Sequence, residues 1–303
     1  GDHRDLPSFP TRRSSDLRTP VPSQTEPTSA EKPGSLPLRA IALLGRIVLE
    51  KLEQIGRVLW LFLDMSGWLL RALFVRRVRI GRPAIVAQLL RVGVRSVFIV
   101  SLVSGCVGLI LAFSLAPPLD QFGQKALVAN IIGVAVLREL GPLIGAIVLT
   151  GFAGASIAAE IGTMVVGEEV EALEAHALDP VRFLVVPRVV ASVVSMTILA
   201  VIADIMAIAA SLLLSMLVLD IPYTTYMDNT LYQAKMIDFG AGVIKAVVFG
   251  MLIGLIACHQ GLSVTGGAAG VGRATTLTVV HSVVAIVIAD LAFTAIFYAL
   301  KLV

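Results

Sequence analysis

Long apolar runs, separated by short polar segments, fill the chain from about residue 95 to its end. At 1.5 Å per helical residue, each run is long enough to cross a hydrocarbon layer about 30 Å thick. The pattern predicts five membrane-spanning helices, at approximately 95–116, 141–166, 188–219, 239–260 and 281–300. The predicted fold class is therefore an all-α membrane protein.

Composition supports this class and excludes others. Hydrophobic residues make up 57% of the chain and charged residues 15%, and the mean hydropathy is +0.90. These values are too apolar for a soluble domain of 303 residues. The net charge is +3, but the basic residues lie in connections and near the N-terminal end, as in membrane proteins, so we expect no nucleic-acid partner.

The first 94 residues differ from the rest. Residues 1–38 hold seven of the fourteen prolines, which predicts a disordered tail, and Pro7–Leu17 resembles a translated adaptor. Residues 39–94 are amphipathic and no window of about 20 residues up to Ile80 is free of charge, which favours interfacial helices on the cytoplasmic side. The alternative is an extra tilted crossing over Ile55–Phe74, which has to bury Asp64.

The distribution of basic residues predicts the orientation. From Arg39 onward, alternating topology places 14 Lys and Arg residues on one side and four on the other, namely Lys125, Arg138, Lys235 and Lys301. The basic side is cytoplasmic in membrane proteins. We therefore expect a cytoplasmic N-terminus, an outer C-terminus and a transmembrane domain over residues 95–303.

An acidic segment, residues 167–180, joins the second and third predicted spans. Val170, Leu173 and Ala177 recur at helical spacing, and Asp179-Pro180 ends the pattern. A short amphipathic helix between two spans is suited to contact a soluble partner, and we expect the contact to involve Glu168, Glu169, Glu171, Leu173, Glu174 and Asp179.

Charges within the apolar runs mark a second candidate site. Lys245 and Asp290 lie about 9 Å and about 15 Å inside the outer ends of their predicted spans. Arg138 and Glu139 precede the central span, so all four side chains are expected in one outer-half cluster. Ionisable groups facing lipid cost several kcal/mol, so the cluster either lines a substrate cavity or is a structural pair with interfacial neighbours. Glu160 is expected to make a structural contact near the cytoplasmic side, and Asp204 has no obvious partner.

Two motifs carry no chemistry of their own. Gly267–Ala274 has the glycine spacing of a phosphate loop, but it lacks the Lys and the Ser/Thr, and we expect a compact cytoplasmic turn there. The histidines are scattered without ligand spacing, so neither a metal site nor a catalytic site is predicted.

Two motif blocks resemble the MlaE/YrbE permeases. The first comprises RELGP from Arg138, AAEIGTM from Ala158, EALE from Glu171, Asp179-Pro180 and Val186-Pro187-Arg188; the second comprises Lys245, Phe249-Gly250, Gly261, GGAAGVGRATT from Gly266 and VVHS from Val279. The resemblance covers roughly residues 40–300. Thr150-Gly151-Phe152 departs from it, because the family usually has an arginine there.

The resemblance implies a permease subunit of an ABC transporter in the inner membrane that moves phospholipids and works as a homodimer. It also implies three partners: a separate ATPase, a hexameric MCE-domain protein on the outer side, and in some systems a STAS-domain subunit. ATP and Mg are expected at the ATPase, and no cofactor is expected in this chain. Two alternatives stay open from the residues. One is an ion-coupled transporter or channel that uses Lys245 and Asp290, and the other is a structural scaffold for the assembly.

Overall fold

The computed structural model describes residues 36–74 and 82–301, which are helical and contain no strand. Helices are numbered in chain order: α1 Leu36–Phe74, α2 Arg82–Leu89, α3 Arg95–Gln121, α4 Leu127–Ala135, α5 Gly141–Leu149, α6 Ala155–Val166, α7 Glu169–Ala175, α8 Val186–Leu217, α9 Tyr223–Gln233, α10 Met236–Leu262 and α11 Gly267–Ala299. Short π-helical segments occupy Leu90–Val94, Val136–Leu140, Thr150–Gly154 and Val181–Val185.

Five continuous helical stretches in the described ranges are long and apolar enough to cross a membrane: Pro83–Gln121, Leu127–Val166, Val181–Leu217, Met236–Leu262 and Gly267–Ala299. The predicted all-α membrane fold with five spans is thereby confirmed. The second span begins 14 residues before the predicted boundary at residue 141, because Arg138 and Glu139 interrupt the apolar run without interrupting the helix.

The segment before the first span differs from the predicted organisation. Contacts divide the chain into two units, Gly1–Leu52 and Glu53–Val303, and the first unit contributes the beginning of α1. The predicted tail falls mostly outside the described residues, although Leu36–Leu38 already belong to α1. The extra crossing receives no support, because α1 is not among the five spans and Asp64 is exposed on it. Residues 83–94, expected at the interface, continue directly into the first span.

Helix α8 lies at the centre of the second unit and packs against α3, α5 and α10. A large cluster of buried apolar side chains fills the space between these helices, including Leu149, Met196, Phe249 and Ile253. A methyl group on Gly250 would lie 2.8 Å from the carbonyl oxygen of Ser192, so only glycine permits this approach of α10 to α8. The small residues along α10 therefore serve packing within the chain.

The spans differ in how far the protein covers them. In the most apolar window of each span, 61% of the residues of α10 are buried, against 11% of those of α11. Helix α10 is thus enclosed by its neighbours, whereas α11 presents most of its apolar surface outward.

Candidate functional site

Lys245 lies at the centre of a polar group inside the membrane-spanning bundle. Its ammonium donates to Glu139 Oε2 at 2.5 Å, to Asp290 Oδ1 at 2.8 Å and to Thr294 Oγ1 at 3.1 Å. An ammonium has three N–H donors, so each finds an acceptor. The Lys245 side chain is fully buried, whereas those of Glu139 and Asp290 are 30% and 17% exposed.

These residues come from different helices at similar depths. Lys245 and Asp290 are each nine residues from the nearer end of α10 and α11, about 14 Å, and Glu139 is twelve residues, about 18 Å, from the start of α4. The predicted proximity of Glu139, Lys245 and Asp290 is therefore observed. The sequence analysis did not predict that Thr294 belongs to this group, although a hydroxyl residue one helical turn after Asp290 lies on the same face of α11.

Arg138 does not join this group, contrary to the prediction of one four-residue cluster. Its guanidinium forms an ion pair with Asp238 Oδ1, and the Arg138 Nε donates to the same oxygen at 3.1 Å. Asp238 also caps α10, since Oδ2 accepts from the backbone nitrogen of Lys235 at 3.0 Å. Arg138 lies within the second span rather than at its outer mouth, and successive helical residues point in different directions, so it and Glu139 reach different partners.

A second ionic network surrounds Glu160. Its carboxylate accepts from Arg91 at 2.7 Å, from Arg188 at 2.9 Å and from the Gln88 amide at 3.5 Å. Arg188 also donates to the carbonyl of Leu184 at 2.9 Å, and its side chain is only 6% exposed. The network ties the first, second and third spans together, which agrees with the structural contact expected for Glu160.

The acidic segment forms helix α7 with no buried residue. Glu168, Glu169, Glu171 and Glu174 are exposed, while Val170 and Leu173 are partly buried. Residues flanking α7 adopt left-handed backbone conformations, Glu168 at φ 59° and Ala177 at φ 56°. Such conformations cost a non-glycine residue about 1–2 kcal/mol. Helix α7 thus presents three carboxylates to the surroundings, and Glu168 adds a fourth at the first of the two sharp backbone turns.

Asp179 does not share this exposed surface. Its Oδ1 accepts from the backbone nitrogen of Val181 at 2.8 Å, and its Oδ2 accepts from the Trp68 indole at 3.0 Å. The Arg182 guanidinium lies 5.5 Å from the centre of the same indole ring. Asp179 therefore joins α1 to the beginning of the third span, a role that the sequence pattern did not reveal.

Asp204 is buried in the middle of α8, and its Oδ1 has no hydrogen-bond partner within the described ranges. The same oxygen occupies the place where a Cβ on Gly141 would stand. Gly141 of the RELGP motif is thus fitted closely against Asp204.

The glycine-rich segment does not form the predicted compact turn. Gly267–Ala274 makes the first turns of α11, and the turn itself comprises residues 263–266, with Gly266 at φ 85°. Small residues let the start of α11 approach α6, where Gly162 lies close to Val271. Among the described residues no group of His, Cys, Asp and Glu has the arrangement of a metal site.

Known proteins resemble this chain over nearly all of the spans. The model of the family Permease MlaE matches residues 85–296, which include both ionic networks and α7. A Probable ABC transporter permease protein of Rickettsia prowazekii is 34% identical over 262 residues, 86% of this chain and 98% of that protein. Another, from Synechocystis, is 34% identical over 218 residues, 72% of this chain and 83% of its own length.

A plant protein also matches. Protein TRIGALACTOSYLDIACYLGLYCEROL 1, chloroplastic, of Arabidopsis thaliana is 36% identical over 211 residues, 70% of this chain and 60% of that protein. Together with the five spans, these matches show that the chain is a multi-pass membrane protein and belongs to the MlaE permease family.

Proposed function

We propose that this chain is the permease subunit of an ABC transporter that moves phospholipids between membranes, with a separate ATPase supplying the energy. ATP and Mg bind to that partner in this scheme, and the chain itself contributes the transmembrane path. We place it in the inner membrane with its N-terminus in the cytoplasm.

The polar group around Lys245 is the observation that carries the proposal. Three spans bring an ammonium, two carboxylates and a hydroxyl together among apolar helices, and Glu139, Asp290 and Thr294 keep accessible surface. Polar groups at this depth are costly unless they have a partner or face a wet cavity. An amphiphilic substrate matches this environment, because hydroxyl or ammonium groups of its headgroup can donate to the exposed oxygens while its chains lie against the apolar helices. One relative is named after a galactolipid, which agrees with a lipid substrate.

Helix α7 is the proposed contact with the ATPase. Its carboxylates are free of ion-pair partners among the described residues, and Asp179 anchors the following turn to Trp68 and Val181. A force applied to α7 would therefore be transmitted to the third span and to α1 together. Charge complementarity predicts a basic groove on the ATPase that receives Glu169 and Glu171.

Further partners complete the proposal. The exposed apolar face of α11 is the surface on which we place a second copy of this chain, because it is the least covered span. The described outer connections are short, five residues between α3 and α4, so a hexameric MCE-domain protein would supply the outer machinery. A STAS-domain subunit would bind the ATPase rather than this chain.

The test is reconstitution of the full chain with its ATPase in liposomes carrying a fluorescent phospholipid. We expect lipid movement that requires ATP, and we expect Glu169→Lys/Glu171→Lys to release the ATPase while the permease stays folded. Asp120→Lys/Asp228→Lys is the control, because it reverses two exposed carboxylates outside α7. Unchanged co-purification of the α7 variant would contradict the coupling role.

An ion-coupled transporter is the second candidate, since Lys245 faces two carboxylates and the group therefore has one acidic side chain in excess. Under this function, movement of substrate follows an imposed ion gradient and ignores added ATPase and ATP. The same liposomes distinguish the two, because the gradient and the nucleotide are varied independently.

A further inference from the structure

A pocket that is separate from the polar group around Lys245 opens between the first and second spans. It has a volume of about 320 Å³ and is lined by Arg91, Val92, Arg95, Phe152, Ala153 and Ser156. Two of the π-helical segments, Leu90–Val94 and Thr150–Gly154, contribute to its walls. Insertions of this kind redirect side chains and are frequent at functional sites.

The pocket has an excess of positive charge. The carboxylate of Glu160 lies beside the pocket, where it forms ion pairs with both Arg91 and Arg188. Arg95 is exposed and has no ion-pair partner in the part of the chain that the structure describes. Two guanidinium groups line the pocket, and the carboxylate beside them is shared with Arg188, so the site is able to bind an anion. Planar guanidinium groups match phosphate geometry.

The depth of the pocket fits a lipid phosphate. Arg95 lies twelve residues, about 18 Å, into a span about 58 Å long. A centred helix extends about 14 Å beyond each side of a 30 Å hydrocarbon core, which places Arg95 about 4 Å inside its border. Ser156, ten residues or about 15 Å from the end of the second span, lies at the same border.

The remaining walls suit the rest of a phospholipid. Val92 and Ala153 are buried and apolar, and Phe152 is an exposed apolar residue at the pocket. The Ser156 hydroxyl adds a hydrogen-bonding group beside the arginines. A headgroup phosphate can thus lie against Arg95 and Arg91, with the glycerol and the first methylene groups against Phe152.

We propose that this pocket binds the phosphate of a phospholipid headgroup at the membrane border. The orientation proposed above places it in the cytoplasmic leaflet, but binding depends neither on that orientation nor on transport. Arg95 is the principal donor, and Arg91, already held by Glu160, is the second.

Native mass spectrometry of the purified full chain with added phosphatidylglycerol tests the proposal. Arg95→Gln is the decisive variant, because it leaves the Arg91–Glu160 pair intact. We expect at least a threefold loss of bound lipid per chain, retention in Arg95→Lys, and a further loss in Arg91→Gln/Arg95→Gln. Diacylglycerol, which lacks the phosphate, is expected to bind equally to all variants.

Arg57→Gln is the matched control, since Arg57 is an exposed cation elsewhere on the protein that pairs with Glu53. Equal loss of lipid in Arg57→Gln and Arg95→Gln would show general attraction by surface charge and overturn the site, as would normal binding by Arg95→Gln. Inorganic phosphate in the same excess is expected to leave the lipid bound. Complete displacement would assign the pocket to free phosphate and overturn the lipid proposal.

Discussion

The Trp68 indole donates a hydrogen bond of 3.0 Å to Asp179, across 111 residues of sequence. Asp179 follows the acidic helix α7 and also caps the next helical segment through Val181. The pair therefore connects α1, the acidic segment and the third span at one point. A change in the position of α7 must therefore move the Trp68–Asp179 hydrogen bond or break it.

Substitutions of Trp68 and Asp179 allow the effect of this hydrogen bond on stability and its effect on coupling to be measured separately. Trp68→Phe removes one hydrogen bond and Asp179→Ala removes two, for expected losses of about 1 kcal/mol and about 2 kcal/mol. Because the variants share one bond, the double variant should lose less than the sum of the two. Thermal unfolding in detergent measures the stability, and stimulation of ATP hydrolysis in the reconstituted complex measures the coupling. Additive losses of stability would show that the contact contributes nothing.

Lys245 variants distinguish a structural role from a transport role. Lys245→Met leaves two carboxylates without their cation, and breaking such a buried pair costs about 3–5 kcal/mol. We expect aggregated or poorly expressed protein, measured as loss of the monodisperse peak in size-exclusion chromatography. The neutral triple variant Lys245→Met/Glu139→Gln/Asp290→Asn should recover folding, because no unpaired charge remains.

Lipid movement by that folded triple variant is the critical measurement. We expect it to be abolished, since the headgroup loses the charged oxygens proposed to receive it. Movement at the wild-type rate would limit the polar group to a structural role. An Arg138→Met/Asp238→Asn variant, which neutralises the neighbouring ion pair, is the matched control and should retain movement.

The close contact between Gly141 and Asp204 predicts that a substitution at Asp204 can reverse the effect of one at Gly141. An alanine Cβ at Gly141 would lie 1.7 Å from Asp204 Oδ1, so Gly141→Ala must displace a buried carboxylate and should cost about 1–3 kcal/mol. Asp204→Ala in the same chain removes the clash and should restore the thermal midpoint. Gly105→Ala is the control, because its new methyl group would meet only the Ala210 Cβ at 3.9 Å. A double variant as unstable as Gly141→Ala would contradict the clash.

Hydropathy predicted the five spans because apolar helices in lipid bond their backbone internally and need length alone. It also brought Lys245 and Asp290 together, since both depths follow from helical rise. The same method began the second span too late, because a window average treats Arg138 and Glu139 as polar even though Asp238 and Lys245 neutralise them within the protein. Ion-pair partners of this kind depend on how each helix is rotated about its axis, which the sequence alone does not determine.

Contacts that join distant segments were the least predictable. Trp68 lies on a helix whose own pattern indicates only amphipathic character, so nothing in it points to Asp179. The π-helical segments were also missed, because a single inserted residue barely changes the apolar period. Two of them, Leu90–Val94 and Thr150–Gly154, contribute to the walls of the pocket that we propose binds a phospholipid headgroup.

Arg188 and Arg91 share the Glu160 carboxylate but should differ in their contribution to stability. Arg188 is 6% exposed and bonds to both Glu160 and Leu184, whereas the Arg91 side chain is 52% exposed. Exposed pairs contribute up to about 1 kcal/mol, while loss of one partner of a buried pair costs about 3–5 kcal/mol. Arg188→Gln should therefore lower the thermal midpoint much more than Arg91→Gln.

Glu160→Gln tests the same asymmetry from the opposite side. It leaves the buried Arg188 guanidinium without its carboxylate, so its loss of stability should match that of Arg188→Gln rather than that of Arg91→Gln. Differential scanning fluorimetry of the three single variants gives the order directly. Equal midpoints for Arg91→Gln and Arg188→Gln would mean that burial does not set the strength of these pairs and that the border between the first three spans is held by other contacts.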